Sequence, residues 1–507
     1  MTPYPVIHNG GTLPLADLQP LSYQELGEIL APLLSRGCRL VTCFADPGPN
    51  DDFPLSVYAV VAEDAANRLA VFRAVGEQVL ESLTPGCPQF HLFEREIGEQ
   101  FGVVFKGHPW FKPVRFHAPW PGKIDAWNRD PVQHPVAGDM EYFQVAGDEV
   151  HEVGVGPVHA GIIEPGHFRF QCYGEEVLHL EISLGYQHRG IERLLAGGPW
   201  PQTPYRIETA AGDTTIGHMT AYSMVVEALS RTAIPEKSDV IRAVALELER
   251  LANHVGDIGA LAGDVGFLPT SAYCGRLRGD YLNMTAAISG SRFGRGLVRP
   301  GGVLFDIDQD MAGQLRQTLA EVSSHTRGAL NLFFETPSVL SRLEGVGKVS
   351  LQDASALGMT GVAAKACGMD CDTRRHHSTA KYRREHLDAV IELGGDVYAR
   401  ARVRQREIDQ SISLVNQGLS KIPRGPLRMK PGKLTAESFA VSMVESWRGP
   451  VAHAAVTDRE GRISRYKIVD PSFFNWSGLA MALRNEQISD FPLCNKSFNL
   501  SYCGFDL

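Results

Sequence analysis

The alternation of apolar and polar positions divides the chain into a mixed first part and a longer, mainly helical remainder. Residues 40–48 (LVTCFADPG) predict a strand ending in a turn, and residues 53–64 (FPLSVYAVVAED) predict a second β-rich run. Residues 66–80 (ANRLAVFRAVGEQVL) have apolar positions at helical spacing and predict a helix. We therefore predict a small α/β domain over residues 1–120.

The next stretch has no hydrophobic period. From residue 107 to about residue 150 the chain is rich in Pro, Gly and Trp, which favours an extended segment that lies over a surface. Its aromatic residues indicate that it is partly docked. We place a linker at residues 121–150 and a second domain at residues 151–507.

The second domain opens with strand patterns and continues with helical ones. Residues 168–186 (FRFQCYGEEVLHLEISLGY) predict a hairpin that turns around Gly174 and Glu175. Residues 237–261 (KSDVIRAVALELERLANHVGDIGAL) predict a long helix with Ser238 as its N-cap.

Two stripes run along this long helix. The apolar stripe consists of Val240, Val244, Leu248, Leu251, Val255 and Ile258. The polar stripe consists of Glu247, Arg250, His254 and Asp257. The polar stripe either faces water or forms a row of titratable groups near a buried cofactor.

Charge and composition exclude several classes of protein. The net charge of −9 gives no basic field for nucleic acid, so we expect no nucleic-acid partner. We interpret the local basic cluster Arg374, Arg375, His376 and His377 as a solvated loop.

The nine scattered cysteines indicate a reducing compartment. We find no signal peptide and no window of about eighteen apolar residues, so another subunit must supply any membrane span.

One stretch of the first domain carries a family resemblance. Residues 91–109 (HLFEREIGEQFGVVFKGHP) resemble the signature of the small hydrophilic subunit of respiratory complex I, the 30-kDa type. Residues 98–100 differ from the usual Tyr-Asp-hydrophobic triplet of that signature. The resemblance implies a docking surface and no catalytic role.

Further stretches resemble a second subunit type. They are GPVHAGIIEPGHFRF (156–170), LGYQHRGIERLL (184–195), SRFGRGLVRPGGV (291–303), ESWRGPVAHAAVTDREGRISRYKIVDPSFFNW (445–476) and the terminal peptide. They are similar to the large 49-kDa-type quinone-site subunit of complex I and, more closely, to the large subunit of energy-converting (group 4) [NiFe] hydrogenases. The resemblance implies an α+β protein. Its N-terminal α/β domain precedes a mainly α-helical domain that begins with a small β-sheet.

The hydrogenase resemblance raises the question of a metal centre. A [NiFe] centre is held by four thiolates in two CxxC pairs, because nickel and low-spin iron need soft ligands. In this chain the first pair of positions falls on Ala211 and Thr214, and the second on Ser501 and Gly504. We therefore expect no metal ligands, and we interpret the terminal peptide as strand-like.

The remaining cysteines offer no substitute site. Cys503 is one residue out of register with the second pair, and it lies nine residues from Cys494. Cys367 and Cys371 form a lone CxxxC, which is a weak metal signal. We interpret these thiols as packed side chains.

The complex I resemblance implies a quinone head group between a His and a Tyr. His159 matches the His position, whereas the Tyr position falls on or beside Gly212, with Tyr205 and Tyr222 as the nearest alternatives. The titratable lining that such a cavity would keep gives our candidate catalytic residues: His159, Glu164, His167, Asp213 and His218. The alternative is that each is an ordinary hydrogen-bonded polar residue.

A second group is expected near the partner's iron–sulfur cluster. The resemblance places Arg189, with His188 beside it in QHRGIE, next to this cluster, where a cation raises the reduction potential. His254 is a further candidate for the same neighbourhood. The expected cofactors are the partner subunit's [4Fe–4S] cluster and, as an open alternative, a quinone, with none bound by this chain itself.

The resemblance implies the hydrophilic subunit of a membrane-bound, ion-translocating oxidoreductase complex related to NADH:quinone oxidoreductase. It would be an enzyme subunit active only within its complex. The expected partners are a small iron–sulfur subunit and antiporter-like and complex I-like membrane subunits, at the cytoplasmic face of the inner (plasma) membrane. Two alternatives stay open: a non-redox coupling or scaffold subunit, and an active [NiFe] hydrogenase.

Overall fold

The structure, a computed structural model, describes residues 4–47, 53–129, 136–159, 163–379 and 381–507. The strands are β1 (Val6–Ile7), β2 (Gly11–Pro14), β3 (Pro20–Ser22), β4 (Arg39–Asp46), β5 (Leu55–Glu63), β6 (Arg68–Gly76), β7 (Val79–Glu81), β8 (Val104–Lys106), β9 (Val150–Val155), β10 (His167–Tyr173), β11 (Glu176–Ser183), β12 (Val298–Arg299), β13 (Gly302–Val303), β14 (Ser438–Glu445), β15 (Pro450–Thr457) and β16 (Ile463–Val469).

The helices follow the same numbering in chain order. They are α1 (Tyr23–Ser35), α2 (His91–Phe101), α3 (Ile191–Leu195), α4 (Thr203–Ile207), α5 (Thr215–Leu229), α6 (Glu236–Asp264), α7 (Leu268–Ser289), α8 (Gln309–Glu335), α9 (Pro337–Leu343), α10 (Leu351–Ala356), α11 (Gly361–Lys365), α12 (Thr373–His376), α13 (Val397–Ser420), α14 (Pro471–Ala482), α15 (Phe491–Phe498) and α16 (Tyr502–Phe505). The predicted order, a mixed part followed by a mainly helical part, is confirmed.

The first part is built on one sheet. Its strands run in the order β1-β6-β5-β4, and β3 pairs in parallel with β6. The helix predicted at residues 66–80 is wrong, because β6 and β7 occupy this stretch. The β6 strand has neighbours on both edges, and its run from Leu69 to Phe72 is buried on both faces. Burial on two faces produces a nearly continuous apolar run, which imitates helical spacing.

The second part contains two larger sheets and a helical core. The predicted hairpin is confirmed as β10 and β11, with β9 added to give the order β11-β10-β9. Gly174 turns between the strands with φ at +58°, which suits glycine. The helix α6 packs against α7 and α13. All six residues of its predicted apolar stripe are buried.

The predicted cap of α6 is wrong. The helix begins at Glu236, after Pro235, and Ser238 lies inside its first turn. The Ser238 hydroxyl donates instead to the carbonyl oxygen of Leu427, so it ties α6 to a distant loop. The pattern alone did not reveal this competing acceptor.

The N-terminal strand β2 belongs to a sheet of the second part of the chain, not to the sheet of the first part. It pairs with β14, with Leu13 opposite Phe439, and completes a sheet in the order β16-β15-β14-β2. A single hydrophobic cluster contains both Leu13 and Phe439. The two predicted domains therefore share a sheet and a core.

The stretch between β8 and β9 carries no helix or strand within residues 107–129 and 136–149. Arg115 is nevertheless buried, and its guanidinium forms an ion pair with Glu96 and donates to the carbonyl oxygen of Phe505. This segment thus connects the first part to the C-terminus.

The predicted strand-like terminal peptide is wrong, because it folds as α15 and α16. Among the described residues, no helix is long and apolar enough to cross a membrane.

Candidate functional site

Arg448 joins the two chain segments that carry the aligned ligand positions. Its guanidinium donates to both carboxylate oxygens of Asp213, at 2.7 and 2.8 Å. Its Nε donates to the carbonyl oxygen of Asn499 at 2.5 Å, just before the second pair of positions. Burial opposes ionisation of Asp213, but the charge and hydrogen bonds of Arg448 outweigh it and lower the pKa of Asp213. The Asp213 side chain remains 34% exposed, so the pair is accessible from the surface.

A histidine and a tyrosine meet beside this pair. The Nε2 of His159 lies 3.4 Å from the hydroxyl of Tyr502, and the His159 ring packs edge-on against Phe168. The Glu164 carboxylate accepts from the backbone N–H of Tyr502 at 3.3 Å. Burial lowers the pKa of His159, which keeps its ring neutral near pH 7. The predicted residues His159 and Glu164 therefore share one site.

His218 belongs to a buried chain of polar side chains. Its Nε2 lies 3.2 Å from Asp470 Oδ2, and its Nδ1 lies 3.0 Å from His453 Nε2. The Nδ1 of His453 lies 2.8 Å from the hydroxyl of Tyr466. The four side chains come from α5, the N-cap of α14, β15 and β16, so only the tertiary fold assembles them.

His167 lies apart from these groups. Its Nδ1 is 3.3 Å from the Gly156 carbonyl oxygen, and Arg169 donates to its Nε2 at 3.2 Å. Its ring packs against Tyr142. Among the residues that the structure describes, we find no hydrogen bond or ring contact between His167 and the His159–Tyr502 pair.

His188 and Arg189 lie at the edge of the site, and both form hydrogen bonds with backbone carbonyl groups there. Arg189 is exposed, and its guanidinium donates to the carbonyl oxygens of Thr209 and Ala210 at 2.7 and 3.1 Å. The ring of His188 stacks on His117, with centroids 4.4 Å apart. Burial and the neighbouring His117 lower the pKa of His188 to about 2, so the charge at this edge comes from Arg189.

Both parts of the chain match known families. Residues 25–136 match the "Respiratory-chain NADH dehydrogenase, 30 Kd subunit" family, and residues 264–439 match the "Respiratory-chain NADH dehydrogenase, 49 Kd subunit" family.

Three relatives show how the two parts are combined elsewhere. The chain is 28% identical to formate hydrogenlyase subunit 5 of Escherichia coli over 430 residues, which cover 83% of this chain and 76% of that protein. It is 26% identical to hydrogenase-4 component G of Escherichia coli over 456 residues, covering 88% and 79%. It is 27% identical to the C/D subunit of NADH-quinone oxidoreductase from Phocaeicola vulgatus over 378 residues, covering 70% and 73%.

The chain belongs to the fused 30-kDa/49-kDa family of complex I and energy-converting hydrogenase subunits. The predicted family resemblance is confirmed, and so is the predicted order of the 30-kDa-type and 49-kDa-type parts.

The [NiFe] centre of the hydrogenase branch does not fit this family member. The four aligned positions, Ala211, Thr214, Ser501 and Gly504, offer no thiol. A Cβ atom added to Gly504 would lie 2.8 Å from Asp470 Cγ, so the carboxyl group fills this space. Within the described ranges, no group of three His, Cys, Asp or Glu side chains could hold a metal ion.

The hydroxyl group near His159 does not come from the position that the complex I resemblance implied. No tyrosine stands at Gly212, but Tyr502 brings a hydroxyl to His159 from the opposite end of the chain. A neutral imidazole and a phenol are both hydrogen-bonding groups suited to a carbonyl oxygen. The structure thus pairs His159 with a tyrosine from a position that sequence reasoning did not consider.

His254 and the polar stripe of α6 are buried rather than exposed. The Nε2 of His254 lies 2.7 Å from Glu407, and Glu407 accepts from Lys365 at 2.8 Å. All four stripe residues, Glu247, Arg250, His254 and Asp257, are at most 4% exposed. His254 is fully buried, so its ring does not reach the surface of this chain. The stripe lines an internal ion cluster, so the prediction that it faces water is wrong, and the alternative that it lies near a buried cofactor stays a prediction.

The basic cluster at residues 374–377 is also partly internal, so its interpretation as a solvated loop is wrong. Arg374 is 3% exposed and pairs with Asp372 at 2.7 Å and Glu247 at 3.1 Å. His377 is fully buried with its Nε2 2.8 Å from Asp64. Buried carboxylates compensate the positive charges of this cluster. Two of them, Glu247 and Asp64, lie far from it in the sequence, so the cluster read by itself did not reveal them.

Sequence reasoning missed five residues of the site: Arg448, His453, Tyr466, Asp470 and Tyr502. The first four stand within residues 445–476, which we recognised as a motif without assigning roles. Their signal was a cluster of titratable side chains in an otherwise apolar β-rich stretch. Tyr502 lies between the aligned ligand positions Ser501 and Gly504, and only this proximity in the sequence could have indicated that it belongs to the site.

Proposed function

We propose that this chain is the hydrophilic subunit of a membrane-bound, ion-translocating oxidoreductase complex, and that it forms the acceptor site beside a partner iron–sulfur subunit. The carrying observation is the His159–Tyr502 contact at 3.4 Å, next to the accessible Asp213–Arg448 pair. The relatives named for NADH-quinone oxidoreductase and hydrogenase complexes support membership of such an assembly. The acceptor is a quinone or a compound with a similar carbonyl group.

The role of the chain's own residues follows from their contacts. Tyr502 and His159 bind and orient a carbonyl oxygen, and Glu164 fixes the Tyr502 backbone. A quinone bound there would accept electrons and require protons at its oxygen atoms. The exposed guanidinium of Arg189, which donates to the carbonyl oxygens of Thr209 and Ala210, supports an approach of the partner's [4Fe–4S] cluster at this edge. Its charge would favour reduction of that cluster.

The proposed assembly places the subunit peripherally, on the cytoplasmic face of the membrane. Antiporter-like and complex I-like membrane subunits would supply the membrane spans and the ion pathway. The net charge of −9 supports protein partners over nucleic acid.

The experiment uses the intact complex, purified through a tag on this chain, with reduced methyl viologen as electron donor and decylubiquinone as acceptor. We expect Tyr502→Phe and His159→Ala each to lower the rate by about tenfold or more, because each removes a hydrogen bond to the acceptor. Tyr173→Phe, at an exposed hairpin end, is the matched control and should retain the full rate. A wild-type complex without decylubiquinone reduction, or variants equal to it, would overturn the proposed acceptor site.

A second candidate function is that of a non-redox coupling subunit. It is favoured by the buried ion cluster in which Lys365 bridges Asp372, Glu407 and Glu445 at 2.8 to 2.9 Å. Such a cluster connects α6, α11, α13 and β14 and could transmit a shift between them. Ion pumping that survives Tyr502→Phe but is lost in Glu407→Gln would favour this function. Stoichiometric nickel in the purified complex would instead indicate a hydrogenase.

A further inference from the structure

Four side chains form an unbroken hydrogen-bonded line through the interior. Tyr466, His453, His218 and Asp470 are connected by contacts of 2.8, 3.0 and 3.2 Å in that order. Each of the four is at most 1% exposed. Buried polar groups cost free energy unless they are paired, and each of these four side chains has at least one partner within the line.

The direction of donation follows from the chemistry of the last member. The Asp470 carboxylate can only accept, so His218 donates to it through Nε2–H. In the tautomers that we assign to the line, His218 accepts at Nδ1 from the Nε2–H of His453, and His453 accepts at Nδ1 from the Tyr466 hydroxyl. Burial and the nearby His218 hold the pKa of His453 well below its usual range, which keeps this ring neutral. All three hydrogen bonds therefore point the same way.

The Asp470 end of the line opens onto the candidate site. Asp470 Cγ lies 2.8 Å from the position of a Cβ on Gly504, and the backbone N–H of Ser472 donates to its other oxygen at 2.8 Å. Burial opposes ionisation of Asp470, but the hydrogen bond from His218 and the charge of Arg448 outweigh it and lower the pKa of Asp470. Asp470 is thus an anionic acceptor beside the Asp213–Arg448 pair.

The other end of the line, at Tyr466, lies near a surface pocket that is separate from the candidate site. The ring of Tyr466 lies 6.1 Å, centroid to centroid, from that of Tyr222. Tyr222 lines a surface pocket of about 520 Å³ between the 197–204 loop and residues 428–434. Glu192, a further charged neighbour of Tyr466, forms ion pairs with Lys467 at 2.9 Å and Arg465 at 3.1 Å.

We propose that Tyr466, His453, His218 and Asp470 form a proton relay from the pocket at Tyr222 to the Asp213–Arg448 site. This inference rests on the proposed function, because a carbonyl acceptor that gains electrons also needs protons. One proton enters at the Tyr466 oxygen, and the Tyr466 proton passes to Nδ1 of His453. The Nε2 proton of His453 passes to Nδ1 of His218, and that of His218 passes to Oδ2 of Asp470. One proton enters the line and one arrives at Asp470, and each ring gains one N–H proton and loses one.

The relay makes a testable prediction for the full chain alone. In protein labelled with ¹⁵N-histidine, the buried Nε2–H protons of His218 and His453 should exchange with water faster than that of His254. His254 is the internal control, because it is equally buried and bonded to a carboxylate but lies outside the line. Tyr466→Phe should slow exchange at both relay histidines by about tenfold or more and leave His254 unchanged.

The matched control is Tyr281→Phe, which removes the hydroxyl of another fully buried tyrosine, bonded to Thr326. It should leave all three exchange rates unchanged. If Tyr466→Phe does not fold, His453→Gln interrupts the same line, and slower exchange at His218 is the readout. Exchange at His218 and His453 that is as slow as at His254, or insensitive to both relay substitutions, overturns the proposal.

Failure of the relay and failure of the proposed function give different results. Exchange is measured without partner subunits, so a complex that does not reduce decylubiquinone leaves this test valid. In an active complex, Tyr466→Phe should lower the turnover rate at saturating decylubiquinone without raising its KM, whereas Tyr502→Phe should affect both. An active complex with unchanged turnover in Tyr466→Phe would overturn the relay alone.

Discussion

Asp470 occupies the space into which a side chain at position 504 would project. A Cβ on Gly504 would lie 2.8 Å from Asp470 Cγ and 2.9 Å from Ser501 Oγ. A thiol at position 504 and the present position of Asp470 therefore exclude each other.

The first prediction concerns this contact. Gly504→Ala should lower the free energy of unfolding by about 1–3 kcal/mol, because the added methyl group overpacks against the Asp470 carboxyl. Urea denaturation measures the change. Gly275→Ala is the control, since a Cβ at this position in α7 meets no atom within 4 Å. Equal stability of Gly504→Ala and the wild type would contradict the close contact.

The second prediction concerns pH and Glu247. Burial opposes its ionisation, but Arg250 and Arg374 outweigh it and lower the pKa of Glu247 to about 2. Its carboxylate therefore stabilises the fold above its unfolded pKa of about 4.3, and this contribution is lost as pH falls towards 2. Glu247→Gln should cost about 3–5 kcal/mol at pH 7.

Urea denaturation between pH 7 and pH 3 provides the measurement. The difference between Glu247→Gln and the wild type should shrink below about pH 4. Glu460→Gln, at an exposed position, should match the wild type throughout. A difference that grows towards low pH would show that the sign is wrong.

The third prediction concerns the shared sheet. Residues 151–507 produced alone should aggregate, because removal of β2 leaves the edge of β14 unpaired. Co-expression with residues 1–150 should give a soluble complex that copurifies. Leu13→Asp should abolish copurification, whereas Val6→Asp, at an exposed position, should not. A soluble, monomeric 151–507 fragment with native-like circular dichroism would contradict this dependence.

The fourth prediction concerns the terminal cysteines. Burial raises the pKa of both Cys494 and Cys503 to about 12, so neither thiol is ionised near pH 8. Only thiolates react readily with iodoacetamide. Mass spectrometry should find both cysteines unmodified in the folded chain and modified in urea. Rapid modification of Cys503 in the folded chain would show an accessible thiolate at this position.

Sequence reasoning succeeded where a pattern reports directly on burial. The hairpin of β10 and β11 and the apolar stripe of α6 are local periodicities, and both are confirmed. It failed at residues 66–80, where a strand with two neighbours has the same apolar content as a helix face. It also failed at Ser238, whose cap role lost to a distant carbonyl acceptor at Leu427.

In the candidate site, too, sequence reasoning found what is local in the sequence and missed what is distant. The motifs that contain His159, Glu164, Asp213 and His218 were visible because they are contiguous in sequence. The partners of these residues were not visible, since Tyr502 is separated from His159 by 343 residues and Asp470 from His218 by 252 residues. Sequence reasoning could therefore say that no tyrosine stands at Gly212, but not that another tyrosine takes its place.

The sequence by itself determined the family, the order of the two parts and the absence of thiols at the four aligned positions, because each depends only on which residues stand in a row. The tertiary structure decided which side chains meet. It joined β2 to β14, closed the polar stripe of α6 into an ion cluster and aligned Tyr466, His453, His218 and Asp470. These contacts depend on distances between remote segments, and hydrogen bonds and ion pairs form only when the packed core brings their atoms within about 3 Å.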